Sequence, residues 1–207
     1  MKIVRDWLFM ILLLSNLPAS ASSGAAVFGG FESKPEKGRI SFSNPGYELN
    51  QILKDGSPFI KPEMEGAGSK AEPGQPDLPT MSTYYAVEPG KTFTVNVLIK
   101  DSEVIENVEV VPFETWDSQP SGVIGKGVAY QQSSLFPANI ASVSDPMVFR
   151  DIVMVQVSVT PFQYNPVSKT LTVIQDVDLE LVESGETELP HIPQKKSREF
   201  EKLYRSL

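Results

Sequence analysis

The sequence contains no cysteine and a single histidine among its 207 residues. Without thiols there is no disulfide, no cysteine-ligated zinc site and no thiolate nucleophile. The one histidine, His191, lies in LPHIP, a proline-flanked stretch typical of a solvated linker, and a Ser-His-Asp triad would have to use it. Neither G-x-S-x-G nor a phosphate-loop or dinucleotide motif is present. These absences predict a chain with no catalytic site, no metal and no cofactor.

Positive charge is also scarce, with 18 basic against 26 acidic residues and a net charge of -8. Nucleic acid and anionic membranes attract basic surfaces, so this balance argues against both as partners.

Long apolar runs are absent apart from one near the amino terminus. Residues 7–14 (WLFMILLL) follow Lys2 and Arg5, and an A-x-A pattern ends at Ala21. The run is too short to span a bilayer, for which about 20 residues are needed. We therefore predict a Sec-type signal peptide over residues 1–21, cleaved after Ala21, rather than a core helix. The chain is then secreted, periplasmic or on the cell surface, with no membrane association after cleavage.

The rest of the chain divides by composition. Residues 22–38 are small, polar and glycine-rich, which predicts a flexible lead-in. Residues 39–184 contain runs with apolar residues at every second position, as at 93–99, 153–159 and 171–181, which is the period of half-buried strands. Turn residues separate these runs and helical patterns do not alternate with them. We predict an all-β antiparallel β-sandwich, with a further strand over 104–111 and a loop over 61–75.

Residues 185–207 predict a linker followed by a short helix. Ser197 is a candidate N-cap, and apolar side chains recur at three- and four-residue spacing at Phe200, Leu203, Tyr204 and Leu207. A helix of about three turns is marginal alone in water, so we expect it to pack against another surface.

Three motifs and the tail together resemble the propeptide of gingipain-type (family C25) cysteine peptidases. They are PGQPDLP (73–79), DPMVFRD (145–151) and TPFQYNP (160–166) with KTLTV (169–173), followed by SREFEKLYRSL (197–207). Each motif also has a local physical interpretation. Prolines in PGQPDLP favour an extended entry into a strand, and TPFQYNP closes one. Arg150 of DPMVFRD forms either a local ion pair with Asp145 or Asp151, which we favour, or a contact with a peptidase domain.

The resemblance implies a function for the chain. It implies an intramolecular inhibitor and folding aid that binds, in cis, the catalytic domain of a C25-type peptidase and is removed by proteolysis. It also implies cleavage after basic residues and a basic side chain offered to the specificity pocket. Lys126, flanked by Gly125 and Gly127 in the Pro/Gly-rich stretch 116–130, is the candidate inhibitory residue. The alternative is an ordinary solvated loop lysine, and the chain itself is not an enzyme.

Removal of a propeptide needs an accessible basic site. Lys196, Arg198 and Arg205 lie in or beside the polar linker and are the candidate processing residues, alongside signal cleavage at Ala21. The two arginines are alternatively the polar face of the tail helix.

A second functional hypothesis is a free-standing secreted β-sandwich that binds carbohydrate or protein at the cell surface. On this hypothesis an aromatic binding face is formed by Tyr84, Tyr85, Trp116 and Tyr130. We favour the alternative that these side chains occupy core or edge positions of the sandwich. A row of alternating carboxylates at 176, 178 and 180 predicts either a calcium site or, as we favour, the solvated face of a sheet.

Overall fold

The structure is a computed structural model that describes residues 29–34, 36–54, 56–114, 125–149 and 152–188. The predicted signal peptide, the tail helix, Trp116, Arg150 and the processing candidates Ala21, Lys196, Arg198 and Arg205 lie outside these ranges. Within them, no helix is long and apolar enough to cross a membrane.

Strands account for more than half of the described residues, which also contain one 3₁₀ turn at Val128–Gln131. In chain order the strands are β1 (Phe31–Ser33), β2 (Arg39–Ser43), β3 (Glu48–Lys54), β4 (Ser57–Glu63), β5 (Gly68–Ser69), β6 (Pro79–Ala86), β7 (Lys91–Ile105), β8 (Ala141–Val143), β9 (Met147–Phe149), β10 (Ile152–Val159), β11 (Phe162–Asn165) and β12 (Thr170–Glu186).

Two five-stranded antiparallel sheets and a hairpin account for these strands. The first sheet runs β1-β2-β12-β11, with β7 also paired to β12. Asp178 pairs with Ser41 of β2 and with Leu98 of β7, so these two strands lie on opposite sides of β12. The second sheet runs β5-β6-β10-β8 with β9 also on β10, and β3 and β4 form the hairpin. The all-β antiparallel β-sandwich predicted from the sequence is confirmed.

The core lies where alternating side chains of the two sheets meet. Val155, Val157 and Val159 of β10 are fully buried, as the period-2 pattern predicts. The first sheet contributes fully buried residues from three strands: Phe42, Phe162, Tyr164, Leu171, Val173 and Ile174. Burial of such side chains is the main favourable contribution to folding.

The other face of β10 differs from its prediction. The alternation places Ser158 with Gln156 on a face turned from the core, yet only 2% of Ser158 is exposed. Its hydroxyl lies 2.8 Å from the Ser82 hydroxyl and accepts a 2.8 Å hydrogen bond from Lys70 Nζ. The polar group is buried because two partners satisfy it.

Three predicted boundaries differ from the structure. The segment 22–38 contains β1, because Phe31 is buried with its ring centroid 5.0 Å from that of Phe42. The predicted strand 104–111 is wrong beyond Ile105, where β7 ends, and Asn107 has a φ of 60°. The predicted loop 61–75 contains the end of β4 and all of β5. Periodicity alone did not reveal these long-range pairings.

Replacing Leu171 with alanine tests the core. Leu171 is fully buried in β12, so we expect Leu171→Ala to lower the free energy of unfolding by about 2–5 kcal/mol. Leu53→Ala is the matched control, because Leu53 is 78% exposed and its loss costs about 0.5 kcal/mol or less. Urea unfolding of both variants measures the difference, and equal losses would contradict the assigned core.

Candidate functional site around Lys126

Both ends of the segment 115–124 adjoin the PGQPDLP motif. On the amino-terminal side, Gly74 N–H donates to Phe113 O at 3.0 Å and Phe113 N–H donates to Gln75 O at 2.8 Å. On the carboxyl-terminal side, Gly127 N–H donates to Gly74 O at 2.8 Å. The motif therefore has a tertiary role beyond entry into β6, because it hydrogen-bonds to described residues near both ends of this segment.

Two of these glycines meet too closely for side chains. Gly74 has a φ of +85°, a region that L-residues rarely adopt. A Cβ on Gly127 would lie 2.9 Å from the carbonyl oxygen of Gly74, which is backbone and does not rotate away. A Cβ on Gly125 would meet nothing within 4 Å. Of the two glycines flanking Lys126, only Gly127 is required by local packing.

Lys126 is held by charge and by aromatic rings. Its ammonium forms an ion pair with Glu109, whose second oxygen lies 2.9 Å from Lys169 Nζ. The same ammonium lies 5.4 Å from the ring centroid of Phe59 and 5.7 Å from that of Tyr130, within cation–π range. The side chain is 44% exposed. We call Gly74, Glu109, Lys126 and Gly127 the Lys126 site.

Glu109 is the electrostatic centre of this site. Partial burial raises the pKa of its carboxyl, but hydrogen bonds and charge from Lys126 and Lys169 outweigh burial and hold the net pKa below its ordinary value. Glu109 is therefore ionised at neutral pH and satisfies two cations at once.

Two buried phenols lie beneath the site. Tyr130 donates a 2.8 Å hydrogen bond to Val110 O, and its ring meets that of Tyr164 edge-on with centroids 6.1 Å apart. Burial raises the pKa of Tyr164 to about 12 and that of Tyr130 further still. Both phenols stay neutral at physiological pH. Both rings pack in the core, and Tyr130 also donates the hydrogen bond to Val110.

The structure thus brings together part of what the sequence suggested. Lys126, Gly125 and Gly127 lie at one end of the sandwich. The proposed aromatic face is not one surface: Tyr84 is 60% exposed, Tyr130 is buried, and the Tyr85 hydroxyl accepts a hydrogen bond from Gly38 N–H at 2.8 Å.

The carboxylate row has partners of its own. Asp176 accepts a 2.6 Å hydrogen bond from the Ser43 hydroxyl, Lys100 lies 2.5 Å from Asp178, and Arg39 lies 3.6 Å from Glu180. In the part of the chain that the structure describes, no group of three or more His, Cys, Asp or Glu side chains is arranged to hold a metal ion. These contacts favour the solvated-face interpretation.

Sequence reasoning missed Glu109, Phe59 and Gly74 as partners of the Lys126 region. A signal for Glu109 was available, because it lies between the buried Val108 and Val110, where a lone carboxylate needs a cation. No local pattern pairs Gly74 with Gly127.

Comparison with known proteins identifies the class. The family model Propeptide_C25 matches residues 32–206. Gingipain R2 of Porphyromonas gingivalis is 30% identical over 151 residues, which cover 66% of this chain and 20% of that protein. Gingipain R1 of the same organism is 31% identical over 120 residues, covering 56% of this chain and 12% of that protein. The chain thus spans a fifth or less of the curated relatives it matches.

Solved structures agree with the family match. The complex of Porphyromonas gingivalis RgpB pro- and mature domains contains a chain that matches with a TM-score of 0.71 and 25% identity, over 85% of this chain and 93% of that one. A structure described as giving insight into the zymogenic latency of gingipain K matches with a TM-score of 0.57 and 22% identity, over 71% and 86% of the chains, which shows the fold alone.

The sandwich and its matches define a peptidase pro-domain. The chain belongs to the Propeptide_C25 family, and is a propeptide of gingipain-type C25 cysteine peptidases that itself contains no cysteine.

The glycine contact yields a matched pair of variants. We expect Gly127→Ala to lower the free energy of unfolding by about 1–3 kcal/mol, because its Cβ would overlap the Gly74 carbonyl. Gly125→Ala should leave it within about 0.5 kcal/mol. Chemical denaturation compares the two, and a Gly125→Ala loss as large as that of Gly127→Ala would contradict the close approach.

The Glu109 ion pairs predict a pH dependence. A carboxyl whose folded pKa lies below its unfolded value stabilises the fold above the unfolded pKa, and this contribution is lost as pH falls through the folded pKa. We therefore expect Glu109→Gln to lower the melting temperature most at neutral pH, with the difference shrinking as pH falls below the ordinary value of 4.5.

The exposed Glu106→Gln is the control, and it should leave the melting temperature at neutral pH unchanged. A Glu109→Gln difference that grows towards acid pH would show that the sign is wrong.

Proposed function

We propose that this chain is the intramolecular inhibitor and folding aid of a C25 cysteine endopeptidase domain that follows it in the same precursor. The supporting observation is the match, over 85% of the chain, to a protein from a complex of pro- and mature domains. A domain tethered to its partner acts at an effective concentration in the millimolar range, so a modest interface is enough to keep a zymogen latent.

The proposed precursor has four parts within this chain. They are a signal peptide at 1–21, a lead-in that ends before β1, the β-sandwich from β1 to the end of β12 at Glu186, and a linker with a short helix that follows β12 and leads to the peptidase domain. Export by the Sec route takes the precursor to the periplasm, the cell surface or the medium. Cleavage after Ala21 and then at Lys196, Arg198 or Arg205 would release the mature enzyme.

Lys126 is the proposed inhibitory side chain. Its location at a rigidly held end of the sandwich supports this, as does its 44% exposure. Moving the Lys126 ammonium away from Glu109 also costs little free energy. Lys169 stays paired with the same carboxylate, so this partly buried charge keeps a cation. Lys126 can therefore leave Glu109 and bind in the acidic specificity pocket of a peptidase that cleaves after basic residues.

The test is inhibition of the cognate peptidase domain by the purified chain added in trans. We expect inhibition at micromolar concentration or below, and a loss of about tenfold or more in Lys126→Ala. Lys100→Ala is the matched control, because Lys100 is a lysine of similar exposure (49%) that pairs with Asp178 and not with Glu109, and it should inhibit like the wild type.

Two results would count against the proposal. Failure of the wild-type chain to inhibit would remove the inhibitory function. Equal inhibition constants for Lys126→Ala and Lys100→Ala would show that Lys126 does not enter the active site.

A further inference from the structure

The core of the sandwich is open along one side. An open groove of about 600 Å³ lies between the inner face of β7 and residues 138–143. Its apolar lining is formed by Phe93, Val95, Val97 and Ile99 on one side and Ile140, Ala141 and Val143 on the other, and its polar lining by Thr94, Asn139 and Gln163. We call this the β7 groove.

The groove exists because the two facing edges differ in length. Edge strand β7 has 15 residues, whereas the opposite edge is divided between β8 and β9, which have three residues each. Val97 and Ile99 point inward in the register of β12 yet remain 40% and 44% exposed. Inward-facing aliphatic side chains of a sandwich are ordinarily covered, so an uncovered row indicates a surface that receives another element.

The chain leaves the described structure beside this groove. Glu186 pairs with Lys91 at the start of β7, and Thr187 N–H donates to Gly90 O at 3.0 Å. Phe93, at the near end of the groove, lies only two residues further along β7. Residues 189–207 therefore begin within a few residues of the apolar surface.

Those 19 residues are long enough to occupy it. The wall from Phe93 to Ile99 is about 20 Å long at the rise of a strand. Six extended residues also span about 20 Å, and the 11 residues 197–207 as a helix would be about 16 Å long. A linker and a helix of these lengths can turn back and cover the wall.

The chemistry of the two surfaces is complementary. The tail places Phe200, Leu203, Tyr204 and Leu207 at helical spacing and has five basic against two acidic residues. Residues 29–188 have 23 acidic against 11 basic residues. Asp101 lies two residues beyond Ile99 at one end of the groove, and at the other end Glu183, opposite Phe93, and Glu186 share the single cation of Lys91.

We propose that residues 189–207 dock in the β7 groove as an amphipathic helix, with Leu203 and its apolar neighbours against Val97 and Ile99. The docked tail would hold Lys196, Arg198 and Arg205 against the sandwich, where a protease reaches them only after the tail detaches. This second consequence, control of processing, rests on the proposed function, whereas the docking itself does not.

The cysteine-free chain allows a direct test of docking in the full chain. The double variant Val97→Cys with Leu203→Cys should form an intramolecular disulfide under mild oxidation, since docking brings the two Cα atoms within the required distance of roughly 7 Å. The matched control is Leu98→Cys with Leu203→Cys, because Leu98 lies on the opposite face of β7 and is 63% exposed. It should cross-link at least about tenfold more slowly.

Mass spectrometry of non-reduced peptides and size-exclusion chromatography read the result. An intramolecular bond at position 97 that position 98 does not form supports docking. Disulfide-linked dimers through position 97 would show that a second copy covers the groove, and equal or absent cross-linking in both pairs would show that the tail does not; either result overturns the proposal.

Proteolysis provides a second measurement. With a Lys/Arg-specific protease, the double variant Val97→Asp/Ile99→Asp should be cleaved in the tail about tenfold faster than the wild type, because cleavage follows the population of the detached tail. Leu98→Asp should be cleaved at the wild-type rate, and circular dichroism confirms that both variants are folded. Unchanged cleavage in the folded double variant would overturn the proposal.

Inhibition of the peptidase is measured on the same samples. Unchanged tail cleavage in the double variant, with inhibition by the wild-type chain retained, would show that the docking fails while the inhibitory function stands.

Discussion

The rest of the structure depends on the pairing of β12 along both of its edges. This 17-residue strand pairs with β7 on one side and with β11 and β2 on the other. Leu171, Val173 and Ile174 are fully buried in its first half, whereas most of the residues from Glu180 to Glu186 are exposed. The buried half cannot slip by one residue without turning its apolar side chains to solvent.

A series of contacts that begins at β12 positions the Lys126 site. Lys169, immediately before β12, accepts a 2.9 Å hydrogen bond at its carbonyl from Val108 N–H, and Glu109 follows Val108. Glu109 then binds Lys126, and Gly74 O binds Gly127. A continuous set of contacts therefore links the central strand to the residues beside the 115–124 segment. The site lacks the chemistry of an active centre because its task, as we propose, is to present a side chain.

Sequence reasoning was most reliable where a periodic pattern coincided with deep burial. The valines of β10 and the apolar residues of β12 were predicted on the correct face. It failed where a contact joins distant residues. Ser158 is buried because Lys70 and Ser82 form hydrogen bonds with its hydroxyl. Phe31 is buried because its ring packs against that of Phe42. Neither partner is marked by a local pattern, since both depend on the sheet register.

The pro-domain identity was determined by the sequence itself. Zero cysteines, alternating apolar residues and three ordered motifs are properties of the chain that need no coordinates. The structure alone decided what the motifs do together. PGQPDLP resembles an extended entry to a strand, yet Gly74 contacts Gly127 across 53 positions of the chain. The open side of the sandwich likewise follows from the unequal lengths of β7 and β8, which only pairing reveals. The local sequence determines the backbone dihedral preferences and which side chains share one face of a strand. Which distant segments come into contact depends on the packing of the core.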